Sequence, residues 1–125
     1  MTIRKAKTSD FPAIRELIHK FPEKLLQNHL PPLKSFFVTL NGGKVIACCA
    51  LEIYSKRLAE IRSLAVAKEH QGNGIASALI ACCLEEAKKK RVYEVLSITG
   101  ALPLFEKSGF RTFNNEKYAL LKVLG

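Results

Sequence analysis

The stretch Glu69-His70-Gln71-Gly72-Asn73-Gly74-Ile75-Ala76-Ser77-Ala78-Leu79-Ile80 places two glycines directly before an uninterrupted helical run. The first N–H groups of a helix have no partner within it, so a chain entering without Cβ atoms can present several bare donors to an anion. The positive end of the helix dipole adds about 0.3 to 1 kcal/mol per favourable contact. A phosphate or diphosphate is the ligand such chemistry suits. A dinucleotide fingerprint, G-x-G-x-x-G, would need a third glycine where Ser77 stands, and the G-K-[ST] of a P-loop is absent. From spacing alone, an ordinary loop entering an ordinary helix stays open as the alternative.

Other reactive side chains are less pointed. The four cysteines form two adjacent pairs, Cys48-Cys49 and Cys82-Cys83. With neither C-x-x-C spacing nor a histidine partner they predict no metal, only free buried thiols in a reducing compartment. His29, just before Pro31-Pro32, reads as a surface residue. Lys88-Lys89-Lys90-Arg91 falls where the central helix should end and reads as a solvated terminus that complements the dipole.

The 20 Lys and Arg outnumber the 11 Asp and Glu by 9, which favours anionic partners. Because the basic residues run from Arg4 to Lys122 without aromatic interleaving or a reader motif, nucleic acid is not the expected one. A length of 125 residues predicts a single domain spanning 1–125. No apolar run reaches the ~20 residues of a membrane span, and the N-terminus lacks the apolar region of a signal peptide. The expected location is the cytoplasm.

These residues need elements to hold them. Thr2–Ala6 reads as a strand, and Thr8-Ser9-Asp10 as the start of a helix over Asp10–Lys20, with Phe11, Ile14, Leu17, Ile18 and Phe21 at helical spacing. Glu23–Leu33 has room for one short helical turn before Pro31-Pro32. Ser35–Leu40 and Lys44–Ile53 flank Asn41-Gly42-Gly43, a hairpin signal. Ala59–Val66 is the strand that leads into the glycine loop, and a helix over Asn73–Lys90 follows it. Tyr93–Ile98 reads as a strand parallel to Ala59–Val66, since the helix supplies the crossover. A short helix over Ala101–Lys107 and a hairpin of Phe110–Phe113 with Tyr118–Val123 complete the chain.

Gln71-Gly72-Asn73-Gly74-Ile75-Ala76 matches the Q/R-x-x-G-x-G/A signature of the GNAT acetyltransferases, and Leu104-Phe105-Glu106-Lys107-Ser108-Gly109-Phe110 resembles their short helix and G-F turn near the C-terminus. The similarity runs from Ile3 to Val123. Within the superfamily, Ile46–Leu51 and Ala59–Val66 look most like the amino-acid N-acetyltransferase branch, the acetyltransferase domain of N-acetylglutamate synthases. The fold implied is α/β (α+β): one mixed, mostly antiparallel sheet with a central parallel strand pair and helices on both faces.

The resemblance implies acetyl-CoA as co-substrate, with its pyrophosphate on Gln71, Gly72, Asn73, Gly74, Ile75 and Ala76. Its pantetheine arm would lie along the strand ending in Leu64, Ala65 and Val66, whose amides would hold the thioester carbonyl. Glu60, where that strand begins, is the implied general base, with Glu52 next in line and a salt bridge to Arg62 as its structural alternative. Arg62 is the implied fork for a substrate carboxylate, unless it pairs with Glu60. Many family members carry a tyrosine acid where this chain has Phe105, which has no hydroxyl and instead packs against the cofactor or the core. Tyr118 is a conceivable substitute.

The expected activity is acetyl transfer to the amine of an amino acid or other small molecule. An acetyl-CoA-binding module without useful turnover, transfer to a protein or peptide amine, and a basic nucleic-acid-binding domain are the alternatives. Dimerisation, common in the superfamily, would suit an exposed edge strand at the C-terminus.

Overall fold

Asn41-Gly42-Gly43-Lys44 closes a two-residue hairpin in which Gly42 and Gly43 have φ of +59° and +81°. Positive φ at both central residues is the turn whose twist matches that of the flanking strands, and only glycine enters it without strain. In the computed structural model, which describes residues 1–112 together with 120, 122 and 124, this hairpin joins the middle of the sheet. The strands are β1 (Thr2–Lys5), β2 (Phe36–Asn41), β3 (Lys44–Ile53), β4 (Leu58–Val66) and β5 (Glu94–Leu96), in spatial order β1-β2-β3-β4-β5. All neighbours are antiparallel except β4 and β5, which run parallel. The helices are α1 (Phe11–His19), α2 (Ile75–Lys89) and α3 (Leu102–Glu106).

Alternation along β3 divides the core. Cys49 and Leu51 pack with Leu79, Ile80 and Cys83 of α2, whereas Cys48 and Ala50 pack with Ile14, Leu17 and Ile18 of α1. Successive strand residues point to opposite faces, so the two helices cover the two sides of the sheet. The mixed sheet expected from the sequence is therefore present. All four cysteines are free; three are buried and Cys82 is half-buried, with the Cys49 and Cys83 sulfurs 3.7 Å apart. Burial pushes the Cys48 thiol up to about 12.

The differences from expectation have local causes. Helix α1 starts at Phe11 because Thr8–Asp10 is a 3₁₀ turn: the Asp10 carboxylate accepts from the Lys7 N–H at 2.7 Å and from the Arg4 guanidinium at 2.7 and 3.2 Å. Helix α2 starts at Ile75 because Gly74 is left-handed. It ends with Arg91 at φ +58°, where the Val92 N–H reaches the Ala87 carbonyl and the Arg91 N–H that of Lys88, both at 3.0 Å.

Glu23–Leu33 contains no α-helix: a single turn, closed by the Leu25 N–H on the Phe21 carbonyl at 3.0 Å, opens it and is not continued. Gln27 ties the segment to α1, its Nε2 donating to the Ile18 carbonyl at 3.1 Å and to the Leu25 carbonyl at 3.0 Å. β5 is only Glu94–Leu96, shorter than Tyr93–Ile98, because it leaves β4 after Leu96. Residues 110–112 carry no strand. The rest of the C-terminal hairpin, Tyr118 and the proposed edge strand lie outside the described residues.

Candidate functional site

From the end of β4 the chain makes a 3₁₀ turn at Lys68–His70 and enters Gln71-Gly72-Asn73-Gly74. The Gln71 amide donates to the Val66 carbonyl at 3.0 Å, tying the loop to its strand, and the Asn73 amide donates to the His70 carbonyl at 3.3 Å. Gly72 and Gly74 have φ of +82° and +77°, and a Cβ on either would meet no atom within 4 Å. Left-handed backbone, not crowding, is what calls for glycine there. Among the described residues, nothing accepts from the N–H groups of Gly72 to Ser77. The Glu69 carboxyl is held below the usual range, first by its own N–H and then by His70, Lys20 and Lys44.

A cavity of about 510 Å³ opens in front of those N–H groups. Gln71, Gly72, Gly74, Ile75 and Ala76 line it from the loop and Leu64, Ala65 and Val66 from β4. Asn73 is exposed and lines neither this cavity nor the next.

β4 changes character at its middle. Arg62 stands opposite Ala50 and Ala65 opposite Cys48, so Ser63 and Leu64 together face Cys49. This is a β-bulge, with Ser63 at φ +55°. On the other edge, β4 pairs with β5 only from Leu58 to Glu60. Past that point the Ser97 hydroxyl donates to the Ile61 carbonyl at 3.1 Å and the strands part. Between them lies a second cleft of about 490 Å³, lined by Ile61–Leu64, by residues 97–101 and by Glu23, Lys24 and Leu25. Lys24, Leu64 and Ala101 line both spaces, so the two meet at the bulge.

The titratable residues predicted for the site are arranged differently from expectation. Glu52 and Glu60 are partners across β3 and β4, yet Arg62 donates to Glu52 at 2.7 Å and not to Glu60. A strand places residues two apart on one face, but the cross-strand diagonal gave Arg62 a carboxylate that is free. Its second terminal nitrogen donates to the His29 carbonyl at 3.1 Å, anchoring the 21–33 segment. Glu60 accepts from the Tyr54 hydroxyl at 2.5 Å and lines neither cavity. Partial burial, then the carboxylates of Glu60 and Glu52, push the Tyr54 hydroxyl up to about 12. Phe105 lines the second cleft but is only 3% exposed and meets Phe110 edge-on with centroids 5.1 Å apart, which makes it chiefly a core residue.

Residues 2–110 match the sequence profile of a family described as acetyltransferase (GNAT) family. The chain belongs to that family. A Chlorobaculum tepidum protein named as an uncharacterized N-acetyltransferase is 30% identical over 122 residues, covering 93% of this chain and 79% of that one. The amino-acid acetyltransferase of Mycobacterium tuberculosis is 34% identical over 116 residues, covering 86% of this chain and 67% of its own. A Mycobacterium tuberculosis crystal structure in complex with CoA and NLQ superposes with a TM-score of 0.84 at 31% identity, over 90% of this chain and 72% of that one. The resemblance carried by Gln71–Ala76 and Leu104–Phe110 is thus borne out, and with it the enzyme class, an acetyltransferase.

Within this GNAT chain the lining residues without a role in the sequence analysis include Glu23, Lys24, His70 and Lys107. Glu23 and Lys24 stand in a segment without periodicity, where only the fold shows what they face. Lys107 stood inside the G-F turn stretch, where its cavity-facing position had no signature.

Proposed function

We propose that the protein transfers the acetyl group of acetyl-CoA to the amine of an amino acid or another small molecule by direct attack on the thioester. The observation that carries this is the continuity of two spaces: a row of unpartnered N–H groups at a helix start opens into a cavity that meets a parted strand pair at a bulge. The name of the 34% identical relative supports the amino-acid branch. The acetyl thioester supplies an activated acyl carbon, and every other requirement falls on this chain.

The N–H groups of Gly72 to Ser77 hold a diphosphate, with helix α2 behind them. The free edge of β4 beyond Glu60 offers N–H and C=O groups at strand spacing to an amide-bearing arm. Amides at Leu64 to Val66 stabilise the oxyanion that develops on the thioester oxygen, each such donor lowering the barrier by about 2.7 to 4 kcal/mol. An amine is protonated at neutral pH, and Glu60, held by Tyr54 at the last β4–β5 pair outside the lining of both spaces, takes its proton through a water before attack. Arg62, committed to Glu52 and His29, fixes the segment over the cleft; as a substrate fork it would have to exchange those partners. Free thiols fit a reducing cytoplasm, and one domain serves both binding spaces.

Phe105 favours a second reading, a module that holds acetyl-CoA with little turnover, because it has no proton to give a departing thiolate. One assay separates the two. Protein, acetyl-CoA and a panel of amines are incubated while free thiol is followed; amine-dependent release supports the transferase, and thermal stabilisation by CoA without release supports the module. Absence of any calorimetric heat with CoA at millimolar concentration overturns both.

A further inference from the structure

We propose that Lys24 reads a carboxylate on the acceptor amine, which makes the substrate class amines that carry an anionic group close to the reacting nitrogen. This rests on the acetyl-transfer reading above and assigns a residue in a stretch without periodicity or motif.

Two cations line the cleft between β4 and β5, Arg62 and Lys24. The obvious reader is Arg62, yet its two terminal nitrogens donate to Glu52 at 2.7 Å and to the His29 carbonyl at 3.1 Å, and its side chain is 21% exposed. Moving that guanidinium to a ligand would strand the Glu52 carboxylate and release the 21–33 segment. Lys24 has no ion pair among the described residues. It is also a cation that lines both spaces, at the junction where Leu64 marks the bulge. A carboxylate entering through the second cleft thus meets an uncommitted ammonium beside the point of acyl transfer.

The position of Lys24 is built. Its own N–H donates to the Phe21 carbonyl at 3.2 Å and the Leu25 N–H to the same oxygen at 3.0 Å, while Gln27 ties Leu25 back to Ile18. Arg62 holds the far end of the segment at His29. A positive charge at this place also disfavours a second ammonium, so diamines and lysine-like acceptors are selected against. Glu23 lines the same cleft and is the carboxylate on which an incoming α-ammonium can rest.

The test compares thiol release from acetyl-CoA with an α-amino acid and with its carboxamide, for the wild-type chain, Lys24→Gln and Lys24→Arg, with CoA affinity measured by calorimetry for each. A charged hydrogen bond accounts for about a tenfold effect or more. The wild type should show a KM at least about tenfold lower for the acid than for the amide. Lys24→Gln should erase that difference with kcat and CoA affinity within about threefold, and Lys24→Arg should restore it.

A wild type that turns both over with equal KM overturns the assignment and leaves the transferase intact. So does a Lys24→Gln protein whose CoA affinity falls tenfold with its acid preference unchanged, because Lys24 then serves a phosphate. No thiol release with any amine removes the acetyl-transfer reading itself, and this inference with it.

Discussion

The Arg62 guanidinium donates to the Glu52 carboxylate at 2.7 Å across β3 and β4, leaving Glu60, two residues before it on its own strand, to the Tyr54 hydroxyl. Both partners are about three-quarters shielded, at 21% and 25% exposure, so the pair is more than a surface contact. A double-mutant cycle of Arg62→Ala and Glu52→Ala in chemical denaturation should give a coupling of about 1 kcal/mol. Strictly additive losses would mean that the two side chains do not meet in solution.

Gly74 lies at φ +77° in front of the N–H row. Gly74→Asp puts a carboxylate where a phosphate is proposed to rest, though the helix dipole itself welcomes a negative charge there. Asn tolerates left-handed backbone and is neutral. Calorimetry should show CoA affinity falling by about 100-fold or more for Gly74→Asp, since two like charges at ~4 Å repel by several kcal/mol in a partly shielded site, and by far less for Gly74→Asn. Equal affinities for the two variants would place the diphosphate elsewhere.

Glu60 stands at the last β4–β5 pair and Glu23 lines the second cleft, and among the described residues neither carboxylate is ion-paired. Glu60→Gln should lower kcat by about 10² to 10⁴, the range of a positioned base, whereas Glu23→Gln should cost less than about tenfold. If the two losses come out reversed, the base is the residue on the segment and not the one on β4.

Asp10 is 7% exposed, and its carboxyl lies below the usual range, first because Arg4 donates to it and also because of the Lys7 N–H. A folded-state value below the unfolded one, about 3.9, stabilises the fold above that pH and loses the effect as pH falls through the lowered value. The 30% exposure of Arg4 screens part of the attraction. Asp10→Asn should therefore cost about 1 to 3 kcal/mol at pH 7. In urea titrations the gap to wild type should close below about pH 4; a gap constant from pH 7 to pH 3 would assign the effect to packing alone.

Local chemistry was legible in the chain itself. Asn41-Gly42-Gly43 fixed a turn because positive φ at two successive residues admits little else, and β3 starts at Lys44, directly after it, in a stretch rich in apolar residues. Gly72 and Gly74 before an apolar helix announced the left-handed entry to α2 and the family, since the signature is contiguous and its geometry is main-chain. What the sequence could not show was which side chains meet across distance. Arg62 had one carboxylate two residues before it and another ten residues before it, and only the β3–β4 register decided for Glu52. Glu23 and Lys24 lie in a stretch with no period to read, and the hydrogen bonds of Gln27 and Arg62 that carry it over the cleft join residues far apart in the chain. Backbone geometry is set by neighbours a few residues away, whereas a pocket is set by packing, and packing is a property of the closed sheet.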